Sequence, residues 1–418
     1  MEKSKRGLLL LTVIALLIAA LALFISYHTF TGNAVYKTID TSTPPIIKKG
    51  GIYEGTWINE DPTKAAIEIQ TEQLVIIQNA VIKSKGNLIH TANYNVNLEI
   101  KNTQGYGLNP DVDMQVPGRF LYAESFKRII IEHNYLENTR GIIIEQEKEP
   151  KAKKPIIQIR YNKVKNIDGR LSDGKGGWRK EDIEKYDDGE KYPNIDVGSL
   201  YGQFVQLNGV KKIPKAVISW NEIINYAEES RVEDVISIHQ SSGAGVGSKS
   251  IRIHDNYIYG AYPLNPEKDP YSGGGIMGGD NLGSGFVLVR NNLVVGTTNY
   301  GIAIATGRDI TVRNNKIISS GITNNKKRIR AKNVGLYVWN QDKDPEWANN
   351  IAKNNIVGWE GEKGRNDWWL PDCVGKNCAG NKRLHNNEHT PITEVDEEQI
   401  RKEWQNKLAA QHITLGPQ

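Results

Sequence analysis

One short pattern recurs along most of this chain and restricts its fold more than any other feature. Alternating aliphatic residues lead into an asparagine that is followed by another aliphatic residue, as in IIIEHNYL, IQIRYNKV, IRIHDNYI, VLVRNNLV, ITVRNNKI and IAKNNIV. The alternation has the two-residue period of β-strands. The asparagines recur at irregular intervals that include 28 and 23 residues, and repeats of this length are typical of solenoids. They are Asn134, Asn162, Asn221, Asn256, Asn292, Asn315 and Asn355.

A second set of short β-branched runs lies between these motifs, which indicates more than one strand per repeat. The runs read GIIIEQ, QFVQLN, DVISIHQ, GIAIAT and VGLYVW. A single repeat cannot bury its own apolar side, whereas coils stacked at ~4.8 Å pair in parallel and share one core. We therefore predict an all-β, right-handed parallel β-helix with a side-chain amide ladder of asparagines. The alternative, a β-propeller or sandwich, needs hairpin turns of the Asn-Gly kind, which are sparse here.

Composition and hydropathy divide the chain into four segments. They are an N-terminal signal or anchor segment at 1–34 with its hydrophobic part at 8–25, a polar linker at 35–50, the β-helix at 51–392 with an insertion at 168–199, and a helical tail at 393–418. In the tail, Thr393 is a candidate N-cap, and Ile400, Trp404 and Leu408 recur at helical spacing. We expect this short C-terminal helix to pack on the body or to close an open end of the solenoid.

The hydrophobic part at 8–25 carries no charge and is just long enough to cross ~30 Å of hydrocarbon. The positive residues before it are expected to keep the N-terminus inside; they are Lys3, Lys5 and Arg6. We predict one N-terminal transmembrane helix with the body outside the cytoplasm. Cleavage after the small residues at 32–34, or at a prepilin-type signal, would instead give a secreted protein. A buried core helix is the other alternative, and it lacks the amphipathic flanks that such a helix needs.

Both cysteines of the chain, Cys373 and Cys378, lie close together in DCVGKNCAG. Outside the cell this arrangement favours one small disulfide loop. His385 and His389 follow at a spacing found in metal sites, so a zinc site is the alternative.

The repeats resemble the pectate-lyase-like superfamily of right-handed parallel β-helix proteins over nearly everything from Gly51 to the C-terminus. A narrower resemblance is to secreted bacterial β-helix proteins of unassigned activity, through SRVED, SGGGIM, GRNDWW and ITLGP. The superfamily resemblance implies lyases, hydrolases and epimerases that act on polysaccharides, together with tailspikes and adhesins, so it favours glycans without fixing a reaction. Pectate lyases group aspartates for calcium beside an arginine base, and no matching run of motifs occurs here.

The densest polar cluster of the sequence is SRVEDVISIHQ, which contains Arg231, Glu233, Asp234 and His239. Strand alternation turns His239 outward. A polysaccharide lyase needs a group that neutralises a uronate carboxylate and a base that removes the adjacent proton. We predict that Arg231 neutralises the carboxylate, that His239 is the base, and that Glu233 and Asp234 orient it or bind calcium. The alternative is a structural salt bridge between Arg231 and Glu233 in the turn.

Other polar and aromatic residues at strand ends and in loops are predicted to bind substrate. Asp280 ends the run GGGIMGGD, whose glycines we expect to serve tight packing of the coils. Tryptophans on loops offer flat apolar faces to sugar rings. The predicted substrate-binding residues are Glu145, Gln206, Gln240, Asp280, Asn340, Trp178 and Trp339.

Two functions are consistent with these features. The first is an enzyme that acts on an extracellular polysaccharide, by lyase chemistry or, with a pair of carboxylates, by hydrolysis. The second is a non-catalytic surface protein that binds glycans. A formal net charge of +5 on 418 residues argues against nucleic acid as the main partner. The oligomeric state, a monomer or a trimer, is left open.

Overall fold

The computed structural model describes residues 45–146, 154–180, 202–269, 272–373 and 375–418. The predicted anchor at 1–34, most of the predicted linker and the later part of the insertion lie outside these residues. Within them, no helix combines the length and the apolar composition that crossing a membrane requires. The transmembrane helix therefore stays a prediction.

One sheet, here called sheet A, consists of 11 parallel strands. Neighbours within it come from successive coils of the chain. In spatial order its strands are β1 (Ile46–Ile47), β3 (Ile67–Ile69), β5 (Ile89–His90), β8 (Leu121–Ala123), β11 (Gly141–Glu145), β14 (Gln203–Asn208), β17 (Asp234–His239), β20 (Gly274–Asp280), β23 (Ile302–Ile304), β26 (Leu336–Val338) and β30 (Trp368–Trp369).

The other sheet has 20 strands and bends into two parallel ladders, B1 and B2, which are joined by two long strands, β2 (Gly51–Asn59) and β4 (Leu74–Ser84). Ladder B1 continues through β6 (Val96–Lys101), β9 (Phe126–Glu132), β12 (Ile156–Arg160), β15 (Lys215–Ser219), β18 (Ile251–His254), β21 (Gly285–Arg290), β24 (Arg308–Arg313) and β27 (Ile351–Lys353). Ladder B2 continues through β7 (Gln104–Gly107), β10 (Tyr135–Glu137), β13 (Lys163–Lys165), β16 (Glu222–Ile224), β19 (Tyr257–Ala261), β22 (Leu293–Thr297), β25 (Lys316–Ser319), β28 (Ile356–Gly361) and β31 (Lys382–Arg383).

The chain passes through sheet A, ladder B1 and ladder B2 in turn, so each full coil adds one strand to all three. The paired strands run parallel, except that β28 pairs with β29 (Gly364–Arg365) in an antiparallel hairpin. This topology confirms the predicted parallel β-helix. The aliphatic residues of all three ladders form one continuous core that extends from Ile47 to Trp359.

The asparagine ladder lies at the turn between B1 and B2. In Asn256, for example, the side-chain Nδ2 donates to Asn292 Oδ1 at 2.9 Å and to the Ile218 carbonyl oxygen at 3.0 Å. The residue before each ladder asparagine adopts a positive φ, as Asp255 does at 56°, which turns the asparagine side chain inward. All seven predicted asparagines take part, and Asn381 extends the ladder by one coil.

Helix α1 (Glu394–Ala410) confirms the predicted C-terminal helix. Thr393 and Asp396 form a capping box at its N-terminus. The helix lies on the outer face of ladder B2, where Trp404 is fully buried and stacks on Tyr257 with ring centroids 5.9 Å apart. Trp404 Nε1 donates to Glu222 Oε2 at 2.8 Å, so the polar group of this buried ring also has a hydrogen-bond partner.

The described part of the β-helix starts earlier than the sequence indicated. Ile46 and Ile47 fall in the predicted linker, yet they form strand β1, which pairs in parallel with β3. Ile47 is buried in the core. Two isoleucines after a pair of prolines are therefore enough to form an edge strand, because β3 provides its hydrogen-bonding partner. Three short 3-10 helices, at Gly247–Lys249, Gly375–Cys378 and Leu384–Asn386, complete the secondary structure described.

Candidate functional site

A groove of about 570 Å³ lies on the outer face of sheet A, across strands β8 to β20. We call it the sheet A groove. Its lining is mainly polar and includes two arginines, four carboxylates and one histidine. The lining residues are Asn87, Arg119, Tyr122, Arg140, Ile143, Glu145, Gln203, Gln206, Asn208, Glu233, Asp234, Ser237, His239 and Asp280.

Strand register places the outward side chains of the groove in rows. One row runs through Tyr122, Ile143, Gln206 and Ser237, which are paired on successive strands. The next row runs through Glu145, Asn208, His239 and Asp280. Because parallel strands lie ~4.8 Å apart, neighbours in a row are close enough for direct contact. The predicted outward direction of His239 is confirmed, since its strand neighbours Ile236 and Ile238 are fully buried.

A bulge brings Asp280 opposite His239. The register between β17 and β20 shifts after Ser237, so that one residue of β17 faces the two glycines Gly278 and Gly279. A Cβ on Gly279 would lie 2.5 Å from the Thr306 carbonyl oxygen, which only a glycine avoids. The glycines of this run therefore serve tight packing between coils, as predicted, and the same packing sets the position of Asp280.

A chain of hydrogen bonds starts at Tyr122 of the first row, continues along the second row and ends on His239. Tyr122 Oη donates to Glu145 Oε2 at 3.0 Å, and Asn208 Nδ2 donates to Glu145 Oε1 at 2.9 Å. Because the Asn208 amide nitrogen is bonded to Glu145, its Oδ1 faces His239 Nδ1 at 2.9 Å. An amide oxygen only accepts, so His239 carries its proton on Nδ1. In the neutral form of the ring the lone pair is then on Nε2, and Asn281 Nδ2 lies 3.4 Å from this atom.

Two arginines form the opposite end of the groove. Arg119 and Arg140 each lie just before a strand of sheet A, and Arg119 Nη1 donates to the Arg140 carbonyl oxygen at 3.2 Å and to Gln203 Oε1 at 3.4 Å. Burial lowers the pKa of Arg119 to about 10, so this guanidinium stays charged at neutral pH. Burial, and next the charge of Arg119, hold the pKa of Arg140 well below its usual range. Two neighbouring guanidinium groups favour the binding of an anion.

Asp234 lies at the start of β17 and faces an aromatic cluster. Tyr300 donates its hydroxyl hydrogen to Asp234 Oδ1, and its ring packs edge-on against Tyr337 with centroids 5.4 Å apart. Burial raises the pKa of Tyr300 well above its usual range, and the negative charge of Asp234 adds to that effect. Tyr300 therefore stays protonated and holds the carboxylate of Asp234 in place. Asp234 and His239 are five residues apart on one strand, which is ~16 Å.

Arg231, the predicted carboxylate-neutralising residue, does not line the groove. Its backbone forms a parallel bridge with Asp168, and its Nη1 donates to the Gly169 carbonyl oxygen at 3.1 Å. The Arg231 side chain is buried, and it interacts electrostatically with the Asp168 carboxylate. Glu233 and Asp234 line the same groove as His239, but the ~16 Å between Asp234 and His239 along the strand is too long for Asp234 to orient the imidazole.

The predicted substrate-binding residues divide into two groups. Glu145, Gln206 and Asp280 line the groove. The others lie elsewhere for local reasons. Asn340 closes a turn by accepting from the Asp344 amide at 2.7 Å, the Arg170 guanidinium covers the Trp178 ring at 4.6 Å, and Gln240 directly follows β17 with a φ of 47°. Trp339 directly follows β26 of sheet A, farther along the solenoid.

Several groove residues were not predicted from the sequence. Asn208 follows the predicted Gln206 by two positions on the same outward face, so the alternation rule already pointed to it. Arg119 and Arg140 occur in PGRFLY and NTRGII, just ahead of sheet A runs. A search for charged residues at that position of each coil would have found both.

Cys373 and Cys378 form a disulfide, with Cα atoms 5.9 Å apart, which confirms the favoured interpretation and removes the thiolates that a zinc site would need. His385 Nε2 lies 3.0 Å from Asp396 Oδ1 instead. Among the described residues, no group of three or more histidines, cysteines, aspartates or glutamates is placed to hold a metal ion. Calcium binding through Glu233 and Asp234 therefore stays a prediction.

No protein-family model matches the chain, and no curated protein matches it. Among solved structures it is similar to a mannuronic acid specific polysaccharide family 6 lyase enzyme from human gut microbiota. The identity is 10%, the TM-score is 0.39, and the alignment covers 89% of this chain and 87% of the lyase chain. The chain is thus a parallel β-helix by its own strand topology, and its site has to be argued from its own residues.

Proposed function

We propose that the sheet A groove binds an acidic polysaccharide and cleaves it by β-elimination. The observation that carries this proposal is the hydrogen-bonded chain from Glu145 through Asn208 to His239, which leaves Nε2 of His239 as a base in a groove that also contains two arginines. Elimination next to a uronate carboxylate requires a base, and arginines in the same groove favour an acidic polymer as the substrate.

In this mechanism Arg119 and Arg140 bind a uronate carboxylate of the polymer at the end of the groove opposite His239. Their charge holds the acidic polymer in the groove, at the end opposite the base. They supply the cationic contact with substrate that the sequence suggested for Arg231, because they line the groove and Arg231 does not.

His239 Nε2 removes the proton from the carbon next to the carboxylate. The electrons of that C–H bond form a carbon–carbon double bond, and the C–O bond to the neighbouring sugar breaks. The imidazolium then returns its proton to the departing oxygen, so that one product has a new hydroxyl and the other an unsaturated uronate end. Glu145, acting through Asn208, keeps the imidazole oriented throughout.

Incubation of the purified full-length chain with uronate polymers and with neutral polysaccharides tests the proposal. We expect new ultraviolet absorbance from unsaturated ends only with uronate polymers, and a loss of 10²- to 10⁴-fold in rate for His239→Ala. Arg119→Met and Arg140→Met should raise KM for the polymer. His412→Ala and Arg313→Ala, which alter exposed residues outside the groove, serve as matched controls.

Other outcomes of the same assay separate the alternatives. New reducing ends without unsaturation would overturn elimination and favour hydrolysis by a pair of groove carboxylates, which must lie ~5 to 9.5 Å apart. Binding of a glycan without any cleavage would favour a non-catalytic surface protein.

We further propose that the body acts outside the cytoplasm, held at the membrane by the segment at 8–25. The Cys373–Cys378 disulfide supports this location, since such bonds persist in oxidising compartments. Protease added to intact cells should digest the body while leaving cytoplasmic proteins intact, and full protection of the body would contradict this location.

A further inference from the structure

Two tryptophans on sheet A are exposed side by side, outside the groove. The side chains of Trp339 and Trp369 are 37% and 45% exposed, and their ring centroids lie 5.2 Å apart at an interplanar angle of 53°. Rings inclined in this way do not cover each other, so each keeps an open face. We call this pair the tryptophan platform.

The platform is held rigidly. Trp369 belongs to β30, which pairs with β26 through Tyr337, and the Trp339 amide donates to the Ile304 carbonyl oxygen at 3.0 Å. The disulfide between Cys373 and Cys378 follows directly after β30, and both cysteines pack against the core. Side chains that are already ordered lose little entropy when a ligand stacks on them.

The platform shares a row with the groove. Register along sheet A runs from Ser237 through Met277, Ala303 and Tyr337 to Trp369, all of which belong to the same outward row of side chains. From β17 to β30 there are four strand steps, which is about 19 Å at ~4.8 Å a step. A single sugar cannot span this distance, whereas an extended oligosaccharide can.

Between the two sites the side chains of this row are buried. Met277, Ala303 and Tyr337 are buried in a small cluster of their own on the outer side of sheet A. The groove and the platform are therefore separate contact surfaces, and only a ligand long enough to pass over this cluster touches both.

We propose that the tryptophan platform is an accessory subsite that stacks against sugar rings of the same polysaccharide that occupies the sheet A groove. This inference rests on the proposed function for the identity of the ligand. Exposed indole faces suit the C–H faces of pyranose rings, which are apolar while their hydroxyls point to water. The subsite raises the affinity for long chains by holding them at a second point, without taking part in bond cleavage.

Size-graded fragments of polygalacturonate and alginate, titrated into the full-length chain, test the subsite. In a Trp339→Ala/Trp369→Ala variant we expect Kd and KM for long fragments to rise by about threefold to tenfold per ring lost, with kcat unchanged. Fragments too short to reach from groove to platform should bind and react as with the wild type. The Trp339→Phe/Trp369→Phe variant keeps flat rings and should retain most of the affinity for long fragments.

Tyr161→Ala is the matched control, because this aromatic residue lies away from sheet A, at the turn between ladders B1 and B2, where it stacks on His133. If the double alanine variant binds long fragments as tightly as the wild type, the platform is not a subsite, while the groove proposal is unaffected. If the wild type binds long fragments without cleaving them and the variant loses this binding, the subsite stands and the lyase activity fails. If the wild type binds none of the fragments, the subsite is overturned together with the proposed function.

Discussion

The orientation of His239 depends on one neighbouring side chain from another coil. Asn208 lies 31 positions earlier in the sequence, and its Oδ1 accepts a hydrogen bond from His239 Nδ1. The Asn208 amide group is itself held by its bond to Glu145. A carboxylate in direct contact with the ring would favour the charged imidazolium, which cannot accept a proton. The interposed amide selects the tautomer without placing a full negative charge on the ring.

Asn208 is therefore predicted to be a positioning residue. In Asn208→Ala the Nδ1 proton loses its acceptor and both tautomers become populated, so we expect kcat to fall about tenfold with little change in KM. Nitrogen NMR of the His239 ring reports the tautomer directly and should change with kcat. Asn366→Ala removes an exposed asparagine outside the groove and should leave both unchanged. A wild-type tautomer in Asn208→Ala would contradict the role.

At this scale the sequence predicts which side chains face outward but not which ones meet. Alternation within one strand was sufficient for His239 and Glu145. The contact between Asn208 and His239 depends on the register between coils, which is set by loops of unequal length. Arg231 shows the same limit, because its side chain is directed by a backbone bridge to Asp168 in a distant part of the sequence.

The asparagine ladder is the element that sets the register of the coils at the B1–B2 turn. Each internal member both donates and accepts, so that Asn256 Oδ1 takes the backbone and side-chain amides of Asn221 while its own Nδ2 reaches Asn292. All these groups are fully buried. Loss of one member leaves several buried groups without partners, and each such group costs roughly 1–3 kcal/mol.

The ladder predicts a position-dependent loss of stability. Asn256→Ala should lower the free energy of unfolding by about 3–5 kcal/mol in urea denaturation, since it breaks bonds on both sides. Asn381 ends the described ladder, is partly buried and bonds to a ladder asparagine on one side only, so Asn381→Ala should cost about 1–2 kcal/mol. Equal losses at the two positions would show that the ladder does not act as a cooperative element.

Helix α1 contains a buried acid at its contact with ladder B2. Glu397 is 6% exposed, and its Oε1 accepts from the Ser320 amide at 2.6 Å. Burial raises the pKa of Glu397 to about 7, although the bond from Ser320 opposes this shift. A carboxyl group whose pKa is higher in the folded state than its unfolded value of ~4.3 contributes stability below pH ~4.3, and this contribution is lost as the pH rises to about 7.

Glu397→Gln should remove this pH dependence. The glutamine keeps an acceptor for the Ser320 amide and never ionises, so the variant should be more stable than the wild type at pH 8 by roughly 1–3 kcal/mol and nearly equal to it at pH 4. Unfolding free energies measured at both pH values for the wild type, the variant and the exposed control Glu398→Gln give the comparison. A gain at pH 8 that persists at pH 4 would argue against titration of Glu397 as its cause.

Elements were predicted more fully than contacts, for a physical reason. Strand period and helix capping are local, and they predicted the coils and the helix that begins after Thr393. Strand β1 was missed, because two residues carry too little periodicity and their pairing with β3 is what makes them a strand.

On the scale of the whole molecule, the solenoid separates its sites. Apart from the continuous core, each coil contacts mainly its neighbours, so a local change is not expected to spread over several coils. The fold class followed from the sequence because every coil repeats the same pattern. The groove did not follow as completely, since it consists of the positions at which neighbouring coils differ from one another.

This separation predicts that loss of the disulfide affects the tryptophan platform and not the groove. The Cys373→Ser/Cys378→Ser variant opens a small loop beside β30, with a sequence separation of 5, and should lower the free energy of unfolding by about 2 kcal/mol. Affinity for long polygalacturonate fragments should fall severalfold, because the platform loses its ordered support. The kcat for short fragments should stay at the wild-type value, because β17 lies four strand steps away. A parallel fall in kcat for short fragments would show instead that the coils transmit the change, and that the groove and the platform work as one site.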